Sequence, residues 1–378
     1  MSGIYIHIPF CKQACHYCDF HFSTSLGKKE AMIKALQKEL ELRKDEFKGE
    51  TVGTIYFGGG TPSVLNTAEI NDIIQTVYDY YNVIENPEIT LEANPDDLDS
   101  SKIKELADSP INRLSIGIQS FFEADLKLMN RAHNAAEAED CIREASKYFD
   151  NISIDLIYGV PEMSSERWLE NIKKALSFNI PHISSYALTV EPKTALKKFI
   201  EQGVVPPIDD ELAQEHYTIL TDTLANAGFD NYEISNFGKP GYYSKNNTAY
   251  WQGKKYMGIG PSAHSFDGQR RGWNIANNPK YIKSIQEEVL PMEVEVLSTT
   301  DNYNEYVMTG LRTIWGVSLN RIKTEFGEGY HDYILQQAEK HIQEKLLFLE
   351  GDTLLVSQKG KFLSDGIASD LFLINLEQ

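Results

Sequence analysis

Between residues 1 and 235 short apolar runs alternate with amphipathic stretches, the pattern of repeated β–α units. The runs GIYIHI (3–8), TVGTIYF (51–57), EITLEA (88–93), RLSIGI (113–118), NISIDLI (151–157) and HISSYAL (182–188) have strand length. Between them lie KKEAMIKALQKELELRKDEF, TAEINDIIQTVYDYY, SSKIKELADS, EADLKLMNR with AAEAEDCIREASKYF, and SSERWLENIKKALSF, whose apolar residues recur at helical spacing. Six strands joined by right-handed helical crossovers make a parallel sheet with helices on its outer face. A closed barrel takes eight such units, so the pattern predicts an open, partial (β/α)6 TIM-like barrel over residues 1–235.

Past residue 235 the pattern breaks. Residues 236–300 begin with a stretch rich in Gly, Pro, Asn and aromatics, NFGKPGYYSKNNTAYWQGKKYMGIGPSAHSF, which reads as connecting loops over a site or a domain junction. From 301 to 378 helical spacing returns, followed by FLEGDTLLVSQKGKFLSDGIASDLFL. Helices, a short hairpin and a last helix predict a small winged-helix-like domain. Its Lys and Arg are interspersed with acids, which points to an interaction or lid module rather than DNA binding.

Composition narrows the class. The formal charge of −19 argues against a nucleic-acid surface. No apolar run approaches the roughly 20 residues of a membrane span, and MSGIYIHIPFC lacks the basic and apolar regions of a secretory signal. A cytoplasmic location is the expectation.

Four cysteines change the picture most. Cys11, Cys15 and Cys18 fall within eight residues, whereas Cys141 sits in a helical stretch and reads as a small buried residue. The clustering is wrong for a disulfide framework and points to metal or redox chemistry. Three thiolates spaced C-x3-C-x2-C can each hold one iron of a cubane, leaving a fourth iron open to a small molecule. A zinc site is the competing reading, with His16 or His21 as fourth ligand. Other polar groups gather just after the strands: GGGTP (58–62) after the second, Glu92 near the end of the third, Gln119 after the fourth. Arg131 lies in the next helical unit and Asp155 in the fifth strand. Active sites of parallel α/β barrels sit at those C-terminal strand ends.

C-x3-C-x-Y-C after a first strand, followed by GGGTP, resembles the radical-SAM superfamily. The resemblance implies a [4Fe–4S] cluster on Cys11, Cys15 and Cys18, with S-adenosylmethionine (SAM) on the open iron. In that family an electron from the cluster cleaves the sulfonium C–S bond and gives a 5′-deoxyadenosyl radical. The longer pattern EANP…GIQSF…NRAH…DLIYGVP, continued by YEISNF, YWQGKKYMGIGPSAHSF and KGKFLSDG, is similar to a narrower group across nearly the whole chain. That group holds the oxygen-independent coproporphyrinogen III oxidases and the HemW-type haem chaperones. It implies SAM contacts at Tyr5, Tyr17, Gly59, Gly60, Thr61, Glu92, Gln119, Arg131, Asp155 and Ala187.

Two features favour the chaperone branch. The oxidases resemble C-x3-C-x2-C-x-C with a longer N-terminal arm, whereas position 20 here is Phe and ten residues precede Cys11. Radical-based porphyrinogen decarboxylation is therefore the second reading, and haem binding with delivery to an acceptor protein the first. One departure stands out. The HNxxYW motif implicated in haem binding reads Asn246-Asn247-Thr248-Ala249-Tyr250-Trp251, and the Cys that often stands two residues earlier is Ser244. Asn cannot ligate iron as an imidazole does, so Tyr250 and His264 become the candidate haem ligands.

Overall fold

The computed structural model describes residues 1–374, so the last four residues of the expected C-terminal domain lie outside the described residues. Six parallel strands form where the apolar runs stand: β1 (Ser2–Ile8), β2 (Val52–Gly59), β3 (Val83–Ala93), β4 (Arg113–Gln119), β5 (Ile152–Tyr158) and β6 (His182–Ala187). Helices α1 (Lys29–Leu42), α2 (Thr67–Tyr80), α3 (Ser100–Ala107), α4 (Glu123–Leu128), α5 (Ala135–Ala145) and α6 (Ser165–Ser177) connect them. The start of α2 is fixed by a capping box between Asn66 and Glu69, and that of α5 by Asn134 and Glu137. Beyond β6 come α7 (Ala195–Glu201), α8 (Asp210–Asn226) and β7 (Asp230–Glu233).

Alternation along the strands decides what faces where, because successive side chains point to opposite sides. On β4, Leu114, Ile116 and Ile118 are fully buried in the apolar layer beneath the helices, together with Leu36, Ile73 and Ile103 of α1, α2 and α3. The intervening Arg113, Ser115, Gly117 and Gln119 border an internal cavity. Likewise β1 sends Ile4, Ile6 and Ile8 outward to the helices and Tyr5 and His7 inward. The lumen is therefore polar. The main apolar core lies between sheet and helices.

Residues 236–300 are not the loops the sequence reading expects. They supply β8 (Asn236–Gly238), α9 (Lys245–Trp251), β9 (Tyr256–Ile259), β10 (His264–Phe266), β11 (Arg270–Asn274), α10 (Asn278–Gln286) and β12 (Met292–Val296). The sheet has twelve strands in the order β12-β11-β10-β9-β1-β2-β3-β4-β5-β6-β8-β7, and its edges β12 and β7 remain apart. β9 runs parallel to β1, a seventh parallel strand beyond the six expected. These strands are only three to five residues long and their glycines hide the alternation. Gly258 shows why such residues stand there: a Cβ would lie 2.1 Å from the His264 carbonyl oxygen.

The C-terminal part is a small winged-helix-like domain with a core of its own. It comprises α11 (Thr299–Leu311), β13 (Val317–Ser318), α12 (Leu319–Glu325), α13 (Glu328–Gln343), β14 (Leu347–Glu350), β15 (Thr353–Val356) and α14 (Ser364–Asp370). It meets the barrel through Arg271–Glu305 (2.7 Å) and Lys361 Nζ donating to Asn231 Oδ1 (2.7 Å). No helix among the described residues is long and apolar enough to cross a membrane.

Candidate functional site

The loop after β1 carries the three cysteines and is tied down along its length. The Cys11 N–H donates to Ser23 O (3.1 Å) and the Ser23 N–H to Pro9 O (3.0 Å). From the next strand, the N–H groups of Gly60 and Thr61 donate to Ile8 O (2.9 Å) and Phe10 O (2.7 Å). These contacts require glycine at position 60, where a Cβ would sit 2.6 Å from Phe10 O. Gly59, with φ of +106°, likewise could carry a side chain only against the His7 ring. The GGGTP turn thus presses against the cysteine loop.

All three cysteines are free; Cys11 is buried and Cys15 and Cys18 half-buried. Burial pushes the Cys11 thiol up to about 11, opposed by a hydrogen bond with Thr61, and burial raises Cys18 too. Such thiols give up their protons when a cation coordinates them. A single tetrahedral zinc would hold its sulfurs about 3.8 Å apart. Among the described residues the three sulfurs do not all gather within 4.8 Å of one another. Nor do the histidines join them. His16 Nδ1 is engaged by Leu128 O (2.8 Å), and His21 Nε2 by Asn278 Oδ1 (2.7 Å). Cys141 is buried on α5, as its helical setting predicts.

Below the cysteines lies a cavity of about 290 Å3. Of the residues singled out from sequence, Cys11, Cys15, Tyr17, Cys18, Gly59, Gly60, Thr61, Glu92, Gln119, Arg131 and Asp155 border it. Tyr5 borders the neighbouring cavity instead, its ring stacked on Tyr56. Ala187 ends β6 opposite Tyr158 and borders neither cavity; by alternation it is Tyr186 and Ser184 that face inward. Arg131 donates to Cys15 Sγ (3.3 Å), Asn94 Oδ1 (2.7 Å) and Gly117 O (2.8 Å), which places its cationic fork beside a cysteine sulfur. Gln119 adopts φ of +67° at a register shift between β4 and β5, an unusual conformation for a non-glycine residue that aims its amide into the cavity.

Glu92 and Asp155 are the two acids that border this cavity, both half-buried. Burial raises Glu92 to about 7, offset in part by the Tyr56 hydroxyl, which donates to Glu92 Oε1 (2.8 Å). Burial raises Asp155 to about 6, with Arg113 and Ser115 pulling the other way. Tyr56, Arg113 and Asn94 were missed from sequence because each lies in or beside a strand, where a single polar residue resembles an ordinary alternation. The signal that could have found them is the polar phase of that alternation on β2, β3 and β4.

A second, wider cavity of about 900 Å3 opens beside the first and shares Phe20, Tyr56, Gly59, Glu92, Asn236 and Asn247 with it. Its walls include Tyr250, Trp251, Tyr256, His7, His21 and His264. Helix α9, which carries the NNTAYW stretch, is held against the barrel by Glu88 of β3. Its carboxylate accepts from the Lys245 and Asn246 N–H groups (both 3.1 Å). Asn246 Oδ1 accepts from Thr54 Oγ1 (3.1 Å). Phe20 stands between the two cavities and is 68% exposed.

Residues 5–175 match the radical-SAM superfamily model, and residues 297–363 match the HemN C-terminal domain model. A haem chaperone HemW of Lactococcus lactis is 33% identical over 374 residues, covering 98% of this chain and 97% of its own. The chain belongs to the HemW family of radical-SAM proteins. A Bacillus subtilis HemW is similar, 32% identical with 97% and 98% covered. The Escherichia coli coproporphyrinogen III oxidase HemN shares the fold, with a TM-score of 0.85 over 98% of this chain and 89% of that one at 22% identity. Membership of the radical-SAM family implies a [4Fe–4S] cluster and SAM.

Proposed function

We propose that this HemW-family protein is a cytoplasmic haem-binding protein that holds a [4Fe–4S] cluster and SAM and passes haem to an acceptor protein. The observation that carries the reading is the joining of two cavities, one bordered by three free cysteines and two half-buried acids, the other wide and aromatic. Cys11, Cys15 and Cys18 would hold the cluster, which supplies one electron beside a sulfonium when bound.

The chain's own groups do the positioning. Gly59, Gly60 and Thr61 give a close backbone approach for the methionine end of SAM, and Tyr17 closes the cavity beside the cysteines. Glu92 and Asp155 accept from hydroxyl donors such as a ribose diol. Gln119 offers both an amide donor and an acceptor, and Arg131 a cation. The aromatic walls of the wider cavity, Tyr250 included, suit a planar macrocycle.

Phe20 in place of a fourth cysteine supports haem trafficking over porphyrinogen oxidation. Titration of the reconstituted protein with haemin tests this: a saturable Soret shift is expected, and its absence refutes the haem half. Formation of methionine and 5′-deoxyadenosine in step with decarboxylated porphyrinogen would instead establish the oxidase.

A further inference from the structure

The wide cavity is bordered by three histidines and four tyrosines. The Tyr5 hydroxyl is engaged with His7, that of Tyr56 donates to Glu92, and burial holds the Tyr256 phenol in its protonated form. His7 has both ring nitrogens engaged, Nε2 with His21 O (2.9 Å) and Nδ1 with the Tyr5 hydroxyl (3.3 Å). His21 has Nε2 committed to Asn278 (2.7 Å). A phenol binds ferric iron strongly only after losing its proton. The Tyr250 ring leans on Trp251 and Tyr256, and no base hydrogen-bonds its hydroxyl among the described residues. His264 alone of the three histidines has neither nitrogen hydrogen-bonded among the described residues, and it borders the cavity. Its ring lies 6.1 Å from that of Trp273, its partner across β10 and β11.

We infer that His264 is the axial ligand to the iron of a haem held in the wide cavity, in a chain whose α9 motif carries Asn246 in place of histidine. The assignment rests on the haem reading above and deepens it. Burial, with Arg271 nearby, lowers the His264 pKa, so its ring is neutral and has a lone pair to give at physiological pH. Register pairs Arg271 with Phe266 and Trp273 with His264, so these four share one face of the β10–β11 hairpin. The rim also carries cations for haem propionates. Arg271 is paired with Glu305 and Lys255 with Glu50, whereas Lys254 has no acidic partner among the described residues. Exposed Phe20 offers a ring face to the macrocycle at the side nearest the cysteines. The ligand class is thus an iron tetrapyrrole with carboxylate side chains, held by one iron–imidazole bond and aromatic contact.

The test compares haemin with iron-free protoporphyrin on the reconstituted full-length protein, using wild type, His264→Ala, His264→Gln and Tyr250→Phe. Absorbance and resonance Raman spectra report the iron ligand, and cluster content and thermal melting report the fold. Wild type is expected to bind haemin with a histidine-ligated spectrum. Both His264 variants are expected to lose at least about tenfold in haemin affinity, equivalent to about 1.4 kcal/mol. Their protoporphyrin affinity should stay unchanged, and free imidazole should restore the ligated spectrum of His264→Ala. Tyr250→Phe should keep that spectrum. Wild-type haemin affinity and spectrum in both His264 variants overturns the assignment. Equal loss of haemin and protoporphyrin overturns it too, because the lost element is then the cavity wall. No haemin binding by wild type overturns the haem reading itself.

Discussion

Glu92 sits where its charge state decides what it can do. It is half-buried, touched by Tyr56, and raised by desolvation to about 7, so a large share of it is protonated just below neutrality. A protonated acid has lost the acceptor strength a ribose diol needs. SAM affinity should therefore rise as pH goes from 6 to 8, and Glu92→Gln should flatten that profile while costing roughly ten- to hundredfold in affinity, the worth of one charge-assisted hydrogen bond. Calorimetric titration at three pH values checks both. The stability effect has the opposite sense. Because the folded pKa lies above the unfolded one, the folded state holds the proton more tightly, and Glu92 lowers stability as pH rises from about 4.5 to 7. At Gly60 the constraint is steric. Gly60→Ala would push a Cβ to 2.6 Å from Phe10 O, displacing the cysteine loop. Iron and sulfide bound per chain should fall, with the barrel's thermal transition retained.

Among elements, the six barrel strands were legible because their apolar residues, mainly Ile and Leu, recur at alternate positions aimed at the helix layer. Ile116 of β4 is fully buried there, and Ile116→Ala should cost about 2–5 kcal/mol in chemical denaturation. Helix α9 is different. It has no buried residue, and its place depends on Ser244 at its cap and Glu88 from a strand far away in sequence. Glu88→Ala should leave the barrel folded but loosen α9, raising amide exchange over residues 245–251 and weakening haemin binding. Nothing local in GYYSKNNTAYWQGKKY announces that helix, since its support is tertiary. The same holds for β8 to β11, whose short runs pair with strands already formed. Site residues were legible in proportion to how unusual they are locally. Three clustered cysteines and three glycines declare themselves, whereas Arg113 and Tyr56 look like ordinary strand residues until the lumen is assembled. Of the contacts carried over by resemblance, Tyr5 borders the wider cavity and Ala187 ends β6, so neither lies on the lining beneath the cysteines.

Across the whole molecule, the polar lumen, the cysteine loop above it and the aromatic cavity beside it form one continuous site roofed by the loop after β1. Among the described residues, none of the C-terminal domain borders the cavity beneath the cysteines. It walls a further cavity of about 790 Å3 on the far side of Tyr250 and Trp251, where Arg312 lies over the Trp251 ring. The central claim is that Cys11, Cys15 and Cys18 hold a cluster with one iron left for SAM. EPR spectroscopy of the anaerobically reconstituted, reduced protein, with and without SAM, tests it most directly. The account predicts a reduced [4Fe–4S] signal whose g values shift when SAM is added. No cluster signal, or one that SAM leaves unchanged, would contradict it.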